Sequence, residues 1–403
     1  MRILHTADWH LGRRLNRASR LAEQRELLHD LVEHTDRLDP DAVVVAGDVY
    51  DVFTPGADAE RLYYRTVQRL ADDGTRPVLV VAGNHDSPAR LTAPRALLED
   101  HGVFVYGDPH DPDDVPQARD HEGFTIHDAG PGWLDVETDG GRGTFHLLSF
   151  PSRSRLPSDV DEEDASATEI VDTLGDRVPT GPGARYLVGH LYVGEGHDVA
   201  EDTDDYVGGA YAVHPDALET YDAAFLGHLH RPFGSGNWRY AGAPMAFDFD
   251  DPATERGAWL YEDGVGETVP LAGDRGLTEH RLASFDQALA LAEDDEDGWV
   301  RLVFERGTVI ERNQRKRLRE AFGDRLVNIR FSEPDDDALA TSATVELGDL
   351  DPEQAFRDYV EDREGKGPDD ELVDMFLEVL DGPQTPDDEP EAETGQATLE
   401  VDG

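Results

Sequence analysis

The sequence predicts an α/β protein, and three observations carry that prediction. Short, uninterrupted apolar runs at 42–46 and 77–82 have the length and make-up of strands buried on both faces. Amphipathic helical stretches lie between them. Each run also ends in a polar step, Gly47-Asp48 and Gly83-Asn84, as parallel strands do where a sheet opens toward a ligand. At about 150 residues per domain, 403 residues give room for two or three domains.

Residues 2–7 form the first strand, followed by a loop with Gly12 and a helix that places Leu28, Leu31 and Val32 on one face. The strand at 42–46, a helix over 59–70 and the strand at 77–82 complete a βαβαβ pattern, so these strands are expected to be parallel. Segments 108–121 and 156–183 are rich in Asp, Pro and Gly and read as surface loops around shorter strands such as 145–150. The strand-then-Gly-His pattern returns at 186–190 and 223–228, and one domain is expected to run from 1 to 273. Beyond it a helix near 285–292, a strand at 299–304, a basic helix over 312–322 and a strand at 326–331 make a small α+β unit. Residues 352–363 and 369–380 read as two short amphipathic helices. The tail 381–403 has eight acids and no base, a composition expected to be disordered.

Charge and cysteine bound the function. Against 36 Lys+Arg stand 88 Asp+Glu, a net charge of −52, with lysine only at Lys316 and Lys366. Hydrophobic residues still make up 38%, enough for a folded core, so the excess is acidic surface. A carboxylate-rich, lysine-poor surface suggests adaptation to molar salt, where a Debye length of about 3 Å screens the self-repulsion and leaves nucleic acid a possible partner. With no cysteine, disulfides, thiolate metal sites, iron–sulfur clusters and Cys nucleophiles are excluded, and any metal must use oxygen and nitrogen ligands. No signal-peptide run opens the chain and no stretch of about 18 apolar residues occurs, so an intracellular protein without a membrane span is expected.

Five strand-end motifs carry the chemistry: Asp8-Trp9-His10, Gly47-Asp48, Gly83-Asn84-His85-Asp86, Gly189-His190 and Gly227-His228-Leu229-His230. Any one of these histidines alone reads as a satisfied structural residue; five motifs on one sheet edge read as a site. In extended chain the i, i+2 pairs Asp8/His10 and His228/His230 point the same way, and glycine before Asp48, Asn84, His190 and His228 fits close backbone approach. Asp8, His10, Asp48, Asn84, His190, His228 and His230 make seven O/N ligands, too many for one divalent ion that also admits solvent and substrate. Two ions sharing Asp48 fit, and mixed carboxylate, imidazole and amide ligation suits Mn²⁺, Fe²⁺ or Zn²⁺. His85, next to a ligand, is expected to face the substrate as acid or transition-state support. Asp86 either fixes its tautomer or caps a helix near Pro88. Asp51 either supports the ligands or is a turn residue.

In order and spacing these motifs resemble the calcineurin-like metallophosphoesterases. The stretches Ile3-Leu-His-Thr-Ala-Asp-Trp-His-Leu-Gly12, Val45-Ala-Gly-Asp-Val-Tyr-Asp51 and Val81-Ala-Gly-Asn-His-Asp-Ser87 are most similar to the SbcD branch, counterpart of the meiotic-recombination-eleven nucleases. Asp51 favours that branch, since many other members carry His there. The resemblance implies a four-layer αββα β-sandwich flanked by helices, a capping domain at 274–345 and helices at 350–380 that dock on a partner ATPase of the SbcC or Rad-fifty type. It implies two Mn²⁺ per subunit, one on Asp8, His10, Asp48 and His230, the other on Asp48, Asn84, His190 and His228, with His85 catalytic. The implied activity is 3′–5′ exonuclease and single-strand endonuclease in double-strand-break repair. A homodimer, a heterotetramer with the ATPase and a nucleoid-associated place in a high-salt cytoplasm go with it. For DNA contact the chain offers Arg13, Arg14, Arg17 and Arg20 after the first motif, and Arg312, Arg315, Lys316, Arg317 and Arg319 on the basic helix. A solvated, salt-bridged helix face is the plainer account of the second group. A phosphatase for small phosphoesters and a DNA-tethering scaffold with an inert site are the competing functions.

Overall fold

The computed structural model describes residues 1–332, apart from 17, 113–114, 161–164, 195–211, 250, 252–254 and 293–297. The expected helices at 352–363 and 369–380, the acidic tail and residues 333–345 lie outside the described residues.

A six-stranded sheet runs in the order Val265–Pro270, Gly257–Glu262, Arg2–Thr6, Ala42–Ala46, Val78–Val81, Val103–Tyr106. Its last four strands are parallel, as the βαβαβ reading requires. An eight-stranded sheet has a parallel centre of Gly141–Leu148, Ala184–His190, Ala223–Gly227 and Trp238–Tyr240. Alternation along each strand divides the core. Ile3, Val44, Leu79 and Phe104 of the first sheet meet Phe145, Val188 and Phe225 of the second, while Leu4, Val43 and Val45 turn the other way onto Leu27, Leu31, Tyr63 and Val67. Those last four belong to the helices Leu21–Leu38 and Ala57–Leu70. On the outer face of the second sheet the helix Ala167–Gly175 buries Ile170, Val171 and Leu174 against Leu187 and Leu226. The layers are therefore helix, sheet, sheet, helix.

The structure corrects the reading of 156–183 as a loop, since Ala167–Gly175 is a helix opened by a reciprocal pair in which Ser166 and Glu169 each bind the other's backbone N–H. Residues 277–331 form a separate parallel sheet, Leu277–Leu282, Trp299–Phe304 and Leu326–Phe331, covered by the helices Phe285–Leu291 and Arg312–Phe322. Several groups join this sheet to the preceding part of the chain, Asn16 Nδ2 donating to Val327 O at 3.2 Å among them. Trp299 Nε1 donates to Glu23 Oε1 at 2.8 Å, and Arg301 bonds Asp248 at 2.9 Å while lying over the Phe249 ring. No helix among the described residues is long and apolar enough to cross a membrane.

Candidate metal centre

The carboxyl ends of Arg2–Thr6, Ala42–Ala46, Val78–Val81, Ala184–His190 and Ala223–Gly227 bring the five motifs to one place. The mechanism of convergence differs from the expected strand alternation. Asp8, His10, Asp48 and His228 all have positive φ, at 53°, 43°, 48° and 104°, so the chain kinks at the residues whose side chains it presents. Such backbone costs on the order of 1–3 kcal/mol per residue and collects at functional sites. Bonds from Asp8 N to Gly47 O and from His10 N to Asp48 O, both 3.0 Å, hold the first two loops side by side.

Asp48 lies at the middle. Its Oδ1 accepts from the His85 backbone N–H at 2.9 Å, and its Oδ2 lies 3.5 Å from His10 Nε2 and 3.4 Å from His190 Nε2. On one side His10 Nε2 is 3.2 Å from His230 Nε2, and Asp8, His10 and His230 bring ligand atoms within 4.8 Å of one another. On the other, Asn84 Oδ1 is 3.0 Å from His190 Nε2 and 3.1 Å from His228 Nδ1. Asp8, Asp48 and His190 also converge within 4.8 Å. All seven expected ligand residues are thus gathered. The donor set fits divalent cations on two grounds. Asp8 is fully buried and its Oδ2 has no hydrogen-bond partner, a costly state for a carboxylate without a cation. His190 Nδ1 bonds Ala46 O at 2.8 Å, leaving Nε2 aimed at Asp48 and Asn84, as ligating histidines are usually held.

The electrostatics follow from burial and crowding. Burial raises the Asp8 carboxyl to about 8, against the pull of His190. Burial would also raise Asp48, but the imidazoles of His190, His10 and His85 hold it below the usual carboxylate range. Burial works against charge on His190, yet Asp48 and Asp8 lift it to about 9. Burial, then the charge of His190, brings His228 down to about 3, and burial likewise lowers His230.

His85 lies beside this group, its ring 4.8 Å from that of His10. Its Nδ1 bonds the Asp51 carbonyl at 3.0 Å, which makes Nε2 the nitrogen free to meet a substrate. The Asp51 carboxylate accepts from Arg13 Nη1 at 2.9 Å and lies 3.6 Å from His10 Nδ1. Asp86 does neither of the two things expected of it. Fully buried, it accepts from Val49 N, Tyr50 N and Gly83 N at 2.9 to 3.1 Å, stitching the loop after Ala42–Ala46 to the loop after Val78–Val81. Burial and the nearby Asp48 raise its carboxyl. Sequence reasoning missed Gln24, whose amide donates to Trp9 O and His10 O while its Oε1 accepts from Gly12 N. Only helical spacing from the first motif hints at that clasp.

Among the arginines, Arg20 does not face a phosphate path. It is buried, paired with Glu23 and Asp274 and bound to Ala246 O. Arg13 is a third exposed and lies over Phe247, which packs against His10 and His230. Arg14 is exposed on a two-residue strand, Arg14–Leu15. Residue 17 lies outside the described residues. Arg312, Arg315, Lys316 and Arg319 line a shallow hollow with Glu311 and Asn313 on the exposed face of their helix. Part of that face is internally satisfied, since Lys316 lies 3.5 Å from Glu320, Arg315 covers Phe331 and Arg317 covers Phe285.

Residues 1–232 match the family model of the calcineurin-like phosphoesterases, and residues 275–364 match the SbcD C-terminal model, described as the type 5 capsule protein repressor C-terminal domain. The chain is 30% identical to the SbcD component of the SbcCD nuclease of Bacillus subtilis, over 96% of this chain and all of that protein. It is 32% identical to the component of the same name from Rhodobacter capsulatus, over 67% of this chain and 68% of the relative. With that of Staphylococcus epidermidis the identity is 25% over 64% of each.

Proposed function

We propose, for a chain that belongs to the calcineurin-like phosphoesterase family and within it to the SbcD nucleases, that it is the metal-dependent nuclease component of a DNA double-strand-break repair complex. Its substrates on this reading are DNA ends and single strands, cut as a 3′–5′ exonuclease and a single-strand endonuclease. One observation carries the reading: Asp48 Oδ2 lies between His10 Nε2 and His190 Nε2 at 3.5 and 3.4 Å, and each of those imidazoles heads a different half of the cluster. A carboxylate oxygen placed between the two halves could serve both ions of a two-ion site. Asp8, His10, Asp48 and His230 would hold one Mn²⁺, and Asp48, Asn84, His190 and His228 the other. When bound, the pair supplies an activated water and offsets the charge that builds on the phosphate during in-line displacement.

The chain's own groups do the rest. The Asp51 carbonyl accepts the Nδ1 proton of His85 and so turns Nε2 toward the site; with a second proton taken up on Nε2, the imidazolium hands that proton to the leaving oxygen and keeps the one on Nδ1. Asp86 and Gln24 fix the loops that carry the ligands. Arg13 contacts the strand beside the site, and Arg14, Arg312, Arg315 and Lys316 contact phosphates farther along. On this reading the segment 350–380 docks on an SbcC or Rad-fifty-type ATPase, two copies of the chain pair, and the complex works near the nucleoid in a high-salt cytoplasm.

The test is direct. Purified protein with Mn²⁺ in concentrated KCl should degrade linear DNA and carry two manganese ions per chain by mass spectrometry. His85→Ala should lose about 10²–10⁴-fold in kcat, the usual share of a general acid, with its manganese content unchanged. A variant that sheds manganese instead would show that His85 holds metal.

A further inference from the structure

The loop that follows Asp51 exposes two large apolar side chains. Val52 is 51% exposed and Phe53 52%, although Phe53 is only two residues from the carbonyl that holds His85 Nδ1. The loop is anchored where it leaves the site: Tyr50 N is bound by Asp86, and the Asp51 carboxylate by Arg13. It ends at Gly56, where the helix Ala57–Leu70 begins. The phenyl ring is also backed. The Arg155 guanidinium carbon lies 5.5 Å from its centroid, and Arg155 is itself held by Asp86 O at 3.5 Å and Asp108 at 4.0 Å. Arg155 comes from the short turn Arg153–Arg155 that follows the strand Gly141–Leu148, so two distant parts of the chain meet to build one platform. Phe53 makes no other ring contact among the described residues. An aromatic ring wet on one side and pinned by a cation on the other does nothing for the core.

We propose that Phe53 is a nucleobase-stacking residue, which seats the base of a nucleotide beside the scissile phosphate, and this rests on the nuclease reading above. Every base offers a π-face, so such a contact is tolerant of sequence, as a nuclease needs. It also suits the charge of this chain. At −52 and in molar salt, little affinity comes from neutralised phosphates, whereas a stack between two neutral rings is not screened. The base must leave its neighbours to reach Phe53, so unpaired or frayed ends should be preferred over duplex interior.

The experiment uses the full-length protein with Mn²⁺ and a single-stranded oligonucleotide, intact or with a reduced abasic residue at one position at a time. Phe53→Ala is expected to raise KM about tenfold, the size of one aromatic–base stack, with kcat nearly unchanged, and Phe53→Trp to restore it. One abasic position should impose the same penalty on the parent protein and none on Phe53→Ala, and the deficit should persist in molar KCl. Equal abasic penalties in both proteins, or an unchanged KM, would overturn the stack while leaving the nuclease reading in place. A parent protein that cuts no DNA would remove both.

Discussion

Gly47 has no room for a side chain. Its φ is 84°, and a Cβ there would lie 2.3 Å from His190 Nδ1, the atom bonded to Ala46 O. At Gly83 a Cβ would lie 2.0 Å from Asp48 Oδ1. Gly47→Ala should therefore displace His190 and lose about 10–100-fold in metal affinity, as disturbed supports of metal ligands do. Calorimetric titration with Mn²⁺ measures it, and an unchanged affinity would show that the loop absorbs the methyl. The need for these glycines could be read from the sequence as glycine before a polar strand end. The positive φ of Asp8, His10, Asp48 and His228 could not, because a left-handed Asp or His leaves no trace in composition and is set by the loop pairing of Asp8 with Gly47 and His10 with Asp48. Asp86 escaped for a related reason: its three partners are backbone N–H groups, which any sequence supplies.

The helices and strands were unequally legible. Apolar runs such as Ala42–Ala46 have buried faces on both sides and declare themselves. The strands Phe124–Gly130 and Trp133–Thr138 went unread, since their pairing slips between Ile126 and Asp128 and breaks the alternation that marks a half-buried strand. The helix Ala167–Gly175 did leave a signature, Ser166-Ala-Thr-Glu169, hidden in an Asp-rich and Pro-rich segment. Ser166→Ala frees the Glu169 N–H, bonded at 3.2 Å, and should cost about 1 kcal/mol in urea unfolding. A variant as stable as the parent would mean the helix is held by Ile170 and Leu174 alone.

For the molecule as a whole, charge and buried imidazoles govern the response to solvent. Self-repulsion at −52 weakens as the Debye length falls from about 10 Å at 0.1 M to about 3 Å at 1 M salt. The thermal midpoint should accordingly climb by several degrees from dilute to molar KCl; a flat profile would refute the halophilic reading. Acid acts differently. Burial lowers His5 from 6.5 to about 3 and His110 to about 4, and lowers His146 as well. Each stays neutral when folded while the unfolded imidazole binds a proton near pH 6.5. Stability present above that pH is therefore lost as the pH falls toward the folded value, at about 1.4 kcal/mol per pH unit per histidine. His5 packs edge-on against Phe225 and Trp259, so His5→Phe should flatten the decline of urea midpoints between pH 6 and 4 by one proton's share. An identical slope in both proteins would place the acid response elsewhere.

Glu23 and Gln24 are consecutive in one helical turn. The first grips Trp299 of the small parallel sheet, and the second grips the backbone at Trp9, His10 and Gly12. A helical turn is stiff, so the two grips work as the arms of one lever. A displacement of the outer sheet would therefore be felt, one residue later, by the segment bearing His10.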